Sequence, residues 1–288
     1  MPGPPPVSAR IALVGDPVDH SPSPQIQIAG FREVGLDWDY VLVGVPKGQL
    51  EAHWGELMEG FLGLNVTIPL KVEAARLVSE RTSVAALCGS VNTVTFRASG
   101  ALGDSTDGRG FMAALSRAGV DRVQRAVVLG TGGAARSVVA ALAGQGTQVT
   151  VMGRNRARGD TIALELGPPL SGKVAFSPLD ALSLGAALVD ADLLVNATPL
   201  GGPTAPDQSP VGGAIVLPAN VAVVDLVYRP RQTPLLRQAA ASGCRTVEGI
   251  EMLVEQAALS FEVWTGAAAP VDVMRQAAYR ANPAGAGL

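Results

Sequence analysis

The sequence is poor in the residues that most often build metal sites and disulfide frameworks. Two cysteines, Cys88 and Cys244, occur among 288 residues, and they are far apart in the chain. Two histidines, His20 and His53, are too few for a histidine-based metal site. We therefore predict that both cysteines are buried, reduced thiols of a cytoplasmic protein and that no metal is bound.

Long apolar runs and concentrated charge are also missing. No apolar stretch reaches the roughly 18 residues that cross a bilayer, and MPGPPPVSAR at the start has no apolar centre typical of a signal peptide. The net charge is −3 and no Lys/Arg run occurs, which argues against nucleic acid. We expect a cytoplasmic monomer or homodimer that acts on a small molecule, without nucleic-acid or membrane partners, behind a disordered lead-in and ending in a Pro/Gly/Ala tail.

What is present is an alternation of short apolar runs with helical patterns. The predicted strands are residues 11–15, 40–45 and 62–68, then 126–130, 148–152, 192–198 and 221–227. Helical spacing occurs at 24–34, 47–60, 108–118, 249–264 and 271–281. Strand–helix alternation predicts an α/β fold with mostly parallel strands, and continuous apolar strands suit a sheet covered on both faces.

The second block of strands opens with a glycine-rich turn, VVLGTGGAAR at 127–136. Gly130 permits the tight turn, Gly132 lets the backbone approach a pyrophosphate, and small Ala135 lets the helix pack on the strand. The helix N-terminus then offers free N–H groups to phosphates. Because a strand precedes the turn and a helix follows it, the pattern favours dinucleotide binding over a plain turn.

The end of the next strand helps to choose the cofactor. An NAD site usually has Asp or Glu there for the ribose 2′-hydroxyl, but this chain has GRNRAR at 153–158. Arg154, Arg156 and Arg158 cluster around Asn155. A guanidinium suits a 2′-phosphate in charge and geometry, so the sequence favours NADP(H), the alternative being a solvated basic loop.

Three polar clusters follow strands of the first block, where α/β folds bind ligands. They are HSPSP (20–24), NVTIPLK (65–71), and VNT (91–93) with GDSTDGRG (103–110). A nicotinamide enzyme that reduces a carbonyl must give the oxygen a proton, and His, Lys and Tyr are the possible donors. A lysine beside a buried strand is costly without a partner or a role, which makes Lys71 a candidate donor.

These motifs, in this order, resemble the shikimate dehydrogenase family. The family carries H-S-x-S-P, N-V-T-x-P-x-K, A-V-N-T, G-x-N-T-D-x-x-G and a G-A-G-G-A loop, followed by N-R-T, D-x-x-Y-x-P-x-x-T-P-L and G-x-x-M-L-x-x-Q-A. This chain has the first three almost unchanged, then GDSTDGRG, GTGGAAR, DLVYRPRQTPL (225–235) and GIEMLVEQAA (249–258). The resemblance covers about residues 11–280.

The resemblance implies NADPH-dependent, reversible reduction of 3-dehydroshikimate to shikimate in aromatic amino acid biosynthesis. It implies that Lys71 and Asp107 flank the reacting oxygen as the catalytic pair. The implied substrate-binding residues are Ser21 and Ser23 for the carboxylate, Asn65, Thr67, Asn92 and Gln256 for the ring hydroxyls, and Tyr228. The implied cofactor-binding residues are Gly130, Gly132, Gly133, Ala134, Arg154, Asn155, Arg158, Thr198, Gly249 and Met252.

The resemblance also implies two domains. Residues 1–107 and 248–288 would form an α/β substrate-binding and catalytic domain, in which C-terminal helices complete the N-terminal part. Residues 108–247 would form a Rossmann-type NADP-binding domain.

Simpler structural interpretations compete with the catalytic one. Lys71 could begin an exposed helix and Asp107 could start another, without any chemical role. His20 is the rival proton donor because Ser21 and Ser23 lie beside it, whereas His53 suits a helix surface.

Some positions depart from the family pattern. Ser105 stands for Asn, Gly153 and Asn155 stand for the Asn and Thr of N-R-T, and Gln27 and Ile28 stand for His-Asn. These departures leave open a paralogue that acts on quinate or an aminated shikimate. A non-catalytic dinucleotide-binding regulator and a methylene-tetrahydrofolate dehydrogenase are less favoured alternatives. Retention of Lys71 and Asp107 argues against the first, and the serine pair and Gln256 argue against the second.

Overall fold

The structure is a computed structural model that describes residues 8–213 and 215–283. It divides into two compact units: Met1–Gly110 with Val254–Ala281, and Phe111–Leu253 with Asn282–Leu288. Each unit contains a six-stranded sheet and helices, which confirms the predicted α/β class. The predicted disordered lead-in before residue 8 and most of the predicted tail lie outside the described residues.

The first unit is built on a mixed sheet. Its strands are β1 (Ser8–Gly15), β2 (Asp37–Gly44), β3 (Gly63–Val66), β4 (Glu80–Arg81), β5 (Thr93–Arg97) and β6 (Gly100–Asp104). Their order is β2-β1-β3-β5-β6-β4, and β5 runs antiparallel to both of its neighbours while the other pairs are parallel. The parallel half brings the carboxyl ends of β1 and β3 to the same edge.

The second unit has the parallel sheet that a dinucleotide-binding fold requires. Its strands are β7 (Arg125–Leu129), β8 (Gln148–Gly153), β9 (Val174–Pro178), β10 (Leu193–Asn196), β11 (Ala222–Asp225) and β12 (Thr246–Glu248). The order is β12-β11-β10-β7-β8-β9, and every pair is parallel. The order reverses between β7 and β10, and this is the switch point at which such sheets bind ligands.

The helices follow the predicted alternation and add several short ones. They are α1 (Ser23–Glu33), α2 (Leu50–Gly60), α3 (Lys71–Leu77), α4 (Ser83–Cys88), α5 (Asp107–Arg117), α6 (Gly133–Gly144), α7 (Arg156–Leu166), α8 (Ala181–Leu188), α9 (Pro234–Ala241), α10 (Gly249–Thr265) and α11 (Val271–Ala281), with a 3₁₀ turn at Pro168–Leu170. The division between the units falls within α5 and α10. Within the described part of the chain, no helix is long and apolar enough to cross a membrane.

In the first unit, one predicted strand ends earlier than expected and one hairpin is missing from the prediction. The strand expected over 62–68 ends at Val66, because Leu70 N–H donates to the Thr67 carbonyl and closes a turn before α3. The hairpin of β5 and β6 was not predicted, although it carries two of the polar motifs at its ends. Both strands have five residues, and β6 (GALGD) contains Gly and Asp, so its apolar alternation is too weak to indicate a strand.

Apolar packing attaches the C-terminal helix α10 to the N-terminal part of the first unit. The Phe31 ring of α1 lies 5.4 Å from the Phe261 ring of α10 and 5.2 Å from the Trp38 ring of β2. The Trp264 indole N–H of α10 donates to the Val94 carbonyl on β5 at 3.0 Å. These contacts fix the part of α10 that follows Val254 against the first sheet. Both cysteines are buried, and no disulfide joins them.

Gly110, in the first turns of α5, lies against the backbone of α10. A Cβ added there would be 2.5 Å from the Gln256 nitrogen and 2.8 Å from the Gln256 Cα. Neither atom belongs to a flexible side chain, so only separation of the helices would relieve the overlap. The close approach of α5 and α10 in the first unit therefore depends on glycine at this position.

In the second unit, Asp225 at the end of β11 organises the loops that follow two strands. It accepts hydrogen bonds from the Asn196 amide, the Thr233 hydroxyl and the Val227 N–H, at 2.8, 2.6 and 3.0 Å. Burial raises the pKa of Asp225 to about 6, although these hydrogen bonds act in the opposite direction. Burial of the charged carboxylate is therefore unfavourable, and the hydrogen bonds from its three partners offset only part of that desolvation cost.

Gly110→Ala should lower the free energy of unfolding by about 1–3 kcal/mol through overpacking. Gly55→Ala is the matched control, because Gly55 is exposed inside α2 and an added Cβ there has no atom within 4 Å. The control should be neutral or raise stability by about 0.5–1 kcal/mol through helix propensity. Urea unfolding of both variants measures the difference; equal stability would show that the helices separate without cost.

Asp225→Asn should change how stability depends on pH. The folded-state pKa of about 6 lies above the ordinary 3.8, so the wild-type aspartate favours folding below pH 4 and loses that contribution as pH rises through 6. The uncharged variant lacks this dependence. The stability of wild type relative to variant should therefore fall by about 3 kcal/mol between these limits. Urea unfolding across this pH range measures it, and a constant difference would contradict the burial argument.

Candidate active site

In the first unit, a buried cluster forms where α3, α5 and α10 meet the ends of strands. Lys71 is the first residue of α3 and Asp107 is the first residue of α5. Lys71 Nζ lies 2.5 Å from Asp107 Oδ2, and the two side chains are 13% and 3% exposed. The lysine next to the buried strand therefore has an acidic partner. An ion pair so deeply buried is costly to assemble for stability alone.

Asn92 connects this ion pair to α10. Its side-chain N–H groups lie within hydrogen-bond distance of Asp107 Oδ1 at 2.9 Å, Thr106 Oγ1 at 2.8 Å and Gln256 Oε1 at 3.2 Å. The Val91 N–H donates to the Lys71 carbonyl at 2.9 Å, which ties the start of α3 to the same loop. Lys71, Asn92, Asp107 and Gln256, predicted from four separate motifs, thus meet in one place.

The serine motif enters the same cluster from α1. Ser21 Oγ donates to Ser23 Oγ at 3.0 Å, and the Ser23 N–H donates back to Ser21 Oγ at 3.3 Å. The Tyr40 hydroxyl hydrogen-bonds with Ser23 and donates to Asn65 Oδ1 at 2.7 Å. Tyr40 therefore joins the serine pair to the Asn65 motif. Thr67 lies partly exposed in the turn before α3.

Asn65 is more enclosed than the other predicted ligands of the ring hydroxyls. It is 5% exposed, and its amide nitrogen donates to the Asn92 carbonyl at 3.0 Å and to Ser260 Oγ at 3.1 Å. Its oxygen accepts the Tyr40 hydroxyl. Both amide N–H groups are therefore used inside the protein, and a direct bond from Asn65 to substrate stays a prediction.

Asp104 organises the turn at the position where Ser105 departs from the family pattern. Asp104 Oδ1 accepts the Ser105 N–H at 2.8 Å and the Thr82 hydroxyl at 2.6 Å, and Oδ2 pairs with Arg109. Ser105 itself is fully buried. The turn into α5 is held by its neighbour's carboxylate, so the shorter side chain at 105 leaves Asp107 well placed.

His20 takes no part in this arrangement. It lies exposed in the loop between β1 and α1, and it forms none of the hydrogen bonds described above. His53 lies half-buried on α2. Among the described residues, no group of three or more His, Cys, Asp or Glu side chains is arranged to hold a metal.

The second unit presents a glycine-rich turn that suits a pyrophosphate. Gly130 has φ +117°, and a Cβ there would be 2.8 Å from the Ala197 carbonyl oxygen. A Cβ at Gly132 would meet no atom within 4 Å, so the backbone faces open space just before α6. Gly133 and Ala134 form the first turn of α6, whose N–H groups are free to bind an anion.

The arginine cluster lies at the end of β8, as predicted. Asn155 caps α7 by accepting the Arg158 N–H at 3.0 Å. Arg154 and Arg158 are exposed and form no ion pair with the described residues, whereas Arg156 pairs with Asp160 at 3.4 Å. Two guanidinium groups at the end of the second strand of the parallel unit are thus uncompensated by nearby carboxylates.

Gly153 has a physical reason to differ from the family asparagine. A Cβ at Gly153 would be 2.9 Å from Cγ2 of Thr131, which stands where the family loop has alanine. Thr131 therefore occupies the space that a side chain at 153 would need. Glycine at 153 therefore fits sterically with threonine at 131.

The remaining predicted cofactor residues lie after β10 and β12, and the predicted substrate ligand Tyr228 lies after β11. Thr198 N–H and hydroxyl both donate to Asn196 Oδ1, at 2.9 and 2.7 Å. Gly249 begins α10, and a Cβ there would be 2.6 Å from the Asp225 carbonyl. Met252 is buried on the same helix. Tyr228 is half-buried in the loop after β11, where its carbonyl accepts the Asn282 side chain.

Sequence reasoning missed two buried hydroxyl residues of the first unit, Tyr40 and Ser260. Ser260 lies four residues after Gln256 on α10, so it shares a helix face with a predicted ligand. Tyr40 lies two residues from buried Trp38 on β2 and shares a strand face with it. Both periodicities are readable from the sequence, but neither residue belongs to a family motif.

Comparison with known proteins identifies the family to which this chain is similar. Family models match three segments: the shikimate dehydrogenase substrate binding domain over residues 13–94, shikimate / quinate 5-dehydrogenase over 113–205, and the shikimate 5′-dehydrogenase C-terminal domain over 249–279. The NADP(+) shikimate dehydrogenase of Methanopyrus kandleri is 42% identical over 93% of both chains.

Solved structures agree with these matches. Shikimate 5-dehydrogenase from Thermus thermophilus in complex with NADP(H) and shikimate is similar at a TM-score of 0.83 and 36% identity, over 95% of this chain and 99% of that one. Quinate dehydrogenase from Corynebacterium glutamicum in complex with NAD is similar at a TM-score of 0.83 and 29% identity, over 94% and 98%. By the coverage and identity of its relatives, this chain belongs to the shikimate dehydrogenase family.

Proposed function

We propose that this chain catalyses the reversible, NADP-dependent reduction of 3-dehydroshikimate to shikimate, with Lys71 and Asp107 handling the proton. The family and the named activity of the Methanopyrus relative support the reaction. The observation that carries the chemistry is the buried Lys71–Asp107 pair at 2.5 Å, held by Asn92 beside Gln256. A non-catalytic binding protein has no need for a charge pair of this kind in its interior.

The second unit fits NADP(H). The open backbone at Gly132 and the N-terminus of α6 suit the pyrophosphate. Arg154 and Arg158, exposed and without carboxylate partners, suit the 2′-phosphate, and no acidic residue stands at the end of β8. The bound cofactor supplies or accepts the hydride. Thr198, Asn155, Gly249 and Met252 stay predicted cofactor contacts, as does Tyr228 for the substrate.

In the first unit, the serine pair suits the substrate carboxylate. Ser21 and Ser23 lie at the N-terminus of the 11-residue helix α1, where the helix dipole favours an anion. The Ser21 hydroxyl is part-buried, and among the described residues it bonds only to Ser23, so it can turn to donate to a carboxylate oxygen. Thr67, Asn92 and Gln256 are the proposed partners of the ring hydroxyls.

The proposed proton transfer follows from the charge state of the pair. As the carbonyl carbon receives a hydride, negative charge develops on its oxygen, and the Lys71 ammonium gives that oxygen a proton. Lys71 is left as a neutral amine and regains a proton from solvent. Asp107 holds one N–H of the ammonium, which leaves the other two free to face the substrate. In the oxidation of shikimate, each step runs in reverse.

Quinate or an aminated shikimate is the second candidate substrate. The observation that favours it is the likeness to a quinate dehydrogenase with NAD bound, at the same TM-score as the shikimate enzyme. The exposed arginines at the NADP end weigh against an NAD-linked enzyme. Reduction of NADP and of NAD, followed by absorbance with shikimate and then quinate, separates the two. Turnover mainly with quinate or NAD would overturn the proposal, and turnover mainly with shikimate and NADP would establish it.

Lys71→Ala should lower kcat by on the order of 10²–10⁴ and change the KM for shikimate much less, because the proton donor acts mainly in the transition state. Lys47→Ala is the control, since Lys47 is exposed before α2 and forms no ion pair with the residues that the structure describes. Steady-state kinetics of both variants measure the effect. Near-normal turnover in the Lys71 variant would exclude the acid/base role.

Arg154→Ala should raise the KM for NADP by roughly tenfold or more and leave the KM for NAD nearly unchanged, because a charge-assisted bond to the 2′-phosphate is lost. Arg156→Ala should have a smaller effect, since Asp160 already pairs with that guanidinium. Initial rates with both cofactors measure the ratio. An equal loss for NADP and NAD in the Arg154 variant would refute the phosphate contact.

A further inference from the structure

Ser260 is a fully buried hydroxyl at the centre of the first unit's polar interior. It lies on α10, and its Oγ donates to the Gln256 carbonyl at 3.0 Å. The same oxygen is 3.1 Å from Asn65 Nδ2, 2.7 Å from Thr93 Oγ1 and 3.3 Å from Thr106 Oγ1. It therefore contacts β3, β5 and the turn before α5 at once, although none of the predicted roles involves it.

The hydrogen bonds of Ser260 form a complete set. A hydroxyl has one proton and two acceptor lone pairs. With the proton on the Gln256 carbonyl, one lone pair accepts from Asn65, and the other faces Thr93 Oγ1, whose single proton can go to Ser260 or to Asn92 Oδ1. Removal of this oxygen would leave the Asn65 amide with one strong acceptor fewer in a buried site, where an unmet donor costs about 1–3 kcal/mol.

Tyr40 fixes the other end of the same chain of bonds. Its hydroxyl is 2.7 Å from Asn65 Oδ1, and burial raises its pKa far above the ordinary value, so it stays a protonated donor. The donor sets the orientation of the Asn65 amide, with oxygen toward Tyr40 and nitrogen toward Ser260 and the Asn92 carbonyl. If the Asn65 amide were flipped, its NH₂ group would face the Tyr40 hydroxyl, which is also a donor.

The chain of bonds ends on the residues that carry the proposed chemistry. The Asn92 carbonyl accepts from Asn65 Nδ2 and from the Val66 N–H, at 3.0 and 2.8 Å. Asn92 Oδ1 accepts the Thr106 N–H at 2.8 Å, which leaves its nitrogen directed at Asp107. Asn92 is held at both its backbone and its side chain, and its orientation in turn holds the Asp107 carboxylate against Lys71.

We propose that Ser260 and Tyr40 are positioning residues of the dehydrogenase reaction: through Asn65 they fix Asn92, and through Asn92 they fix Asp107. The inference rests on the proposed function. In this proposal Asn65 supports Asn92. The hydroxyl groups of Ser21 and Thr67 then face the substrate, whereas those of Tyr40 and Ser260 hold the residues that bind it. A displacement of about 1 Å in such a site is enough to lower the rate up to a hundredfold.

Ser260→Ala should lower kcat by about tenfold with little change in the KM for shikimate or NADP, and shift the pH profile of kcat because the surroundings of Asp107 change. Thr265→Val is the matched control. Thr265 is buried on the same helix and donates to the carbonyl four residues earlier, as Ser260 does, but it contacts none of the network. Its kcat and pH profile should equal those of wild type. Tyr40→Phe removes the hydrogen bond on the other side of the Asn65 amide, so it should lower kcat to a similar extent.

Crystal structures of wild type and Ser260→Ala test the positioning without reference to activity. The Asn92 carboxamide should move by about 0.5 Å or more, or lose its contact with Asp107. If wild type does not turn over shikimate with NADP, the proposed function fails while this comparison still decides the positioning. An unmoved Asn92, or a kcat within twofold of wild type in both Ser260→Ala and Tyr40→Phe, would overturn the inference. If Ser260→Ala does not fold, Tyr40→Phe carries both measurements.

Discussion

A single side-chain amide, that of Asn92, connects most of the first unit's polar interior. It faces Asp107, Thr106 and Gln256 with its nitrogen and accepts a backbone N–H with its oxygen. An amide offers two donors and two acceptor sites in fixed directions, so few orientations satisfy every neighbour. Because these partners come from α5, from the turn before it and from α10, the position of each element constrains the others. The geometry of the Lys71–Asp107 pair therefore depends on the orientation of Asn92.

The sequence allowed a close prediction of the fold class and of the residues that gather around Lys71. Strands such as Ser8–Gly15 and Arg125–Leu129 are continuous apolar runs, and a run of that kind has few alternatives in an α/β chain. The order of the polar motifs indicated that Lys71, Asn92 and Asp107 lie close together. Asn92, however, precedes β5 rather than following a strand, and the antiparallel direction of β5 brings it to the end of β3. Family resemblance, rather than spacing, supplied Gln256 from the far end of the chain.

Other features could not be read from the sequence, for physical reasons that differ. The hairpin of β5 and β6 is held by pairing with neighbours, and β6, which contains Gly and Asp, has little intrinsic strand pattern. Ser260 is an ordinary helix residue until the fold brings Asn65 and Thr93 to it. The coupling of Thr131 with Gly153 depends on a distance between two loops of the parallel sheet. In each case the decisive contact lies between residues distant in the sequence, which local propensity does not register.

The first unit is made of two segments of chain, and the second segment begins only after residues 111–253 have passed. The ribosome adds about 5–20 residues per second, so synthesis of that insertion takes on the order of ten seconds. Throughout this interval the nascent N-terminal segment holds Asn65, Asn92 and Asp107 without the helix that carries Gln256 and Ser260. The strands of the parallel unit are made during this interval, so that unit can fold before α10 is complete. The cluster around Lys71 and Asp107 is therefore completed only after α10 has been synthesised and has docked against the N-terminal segment.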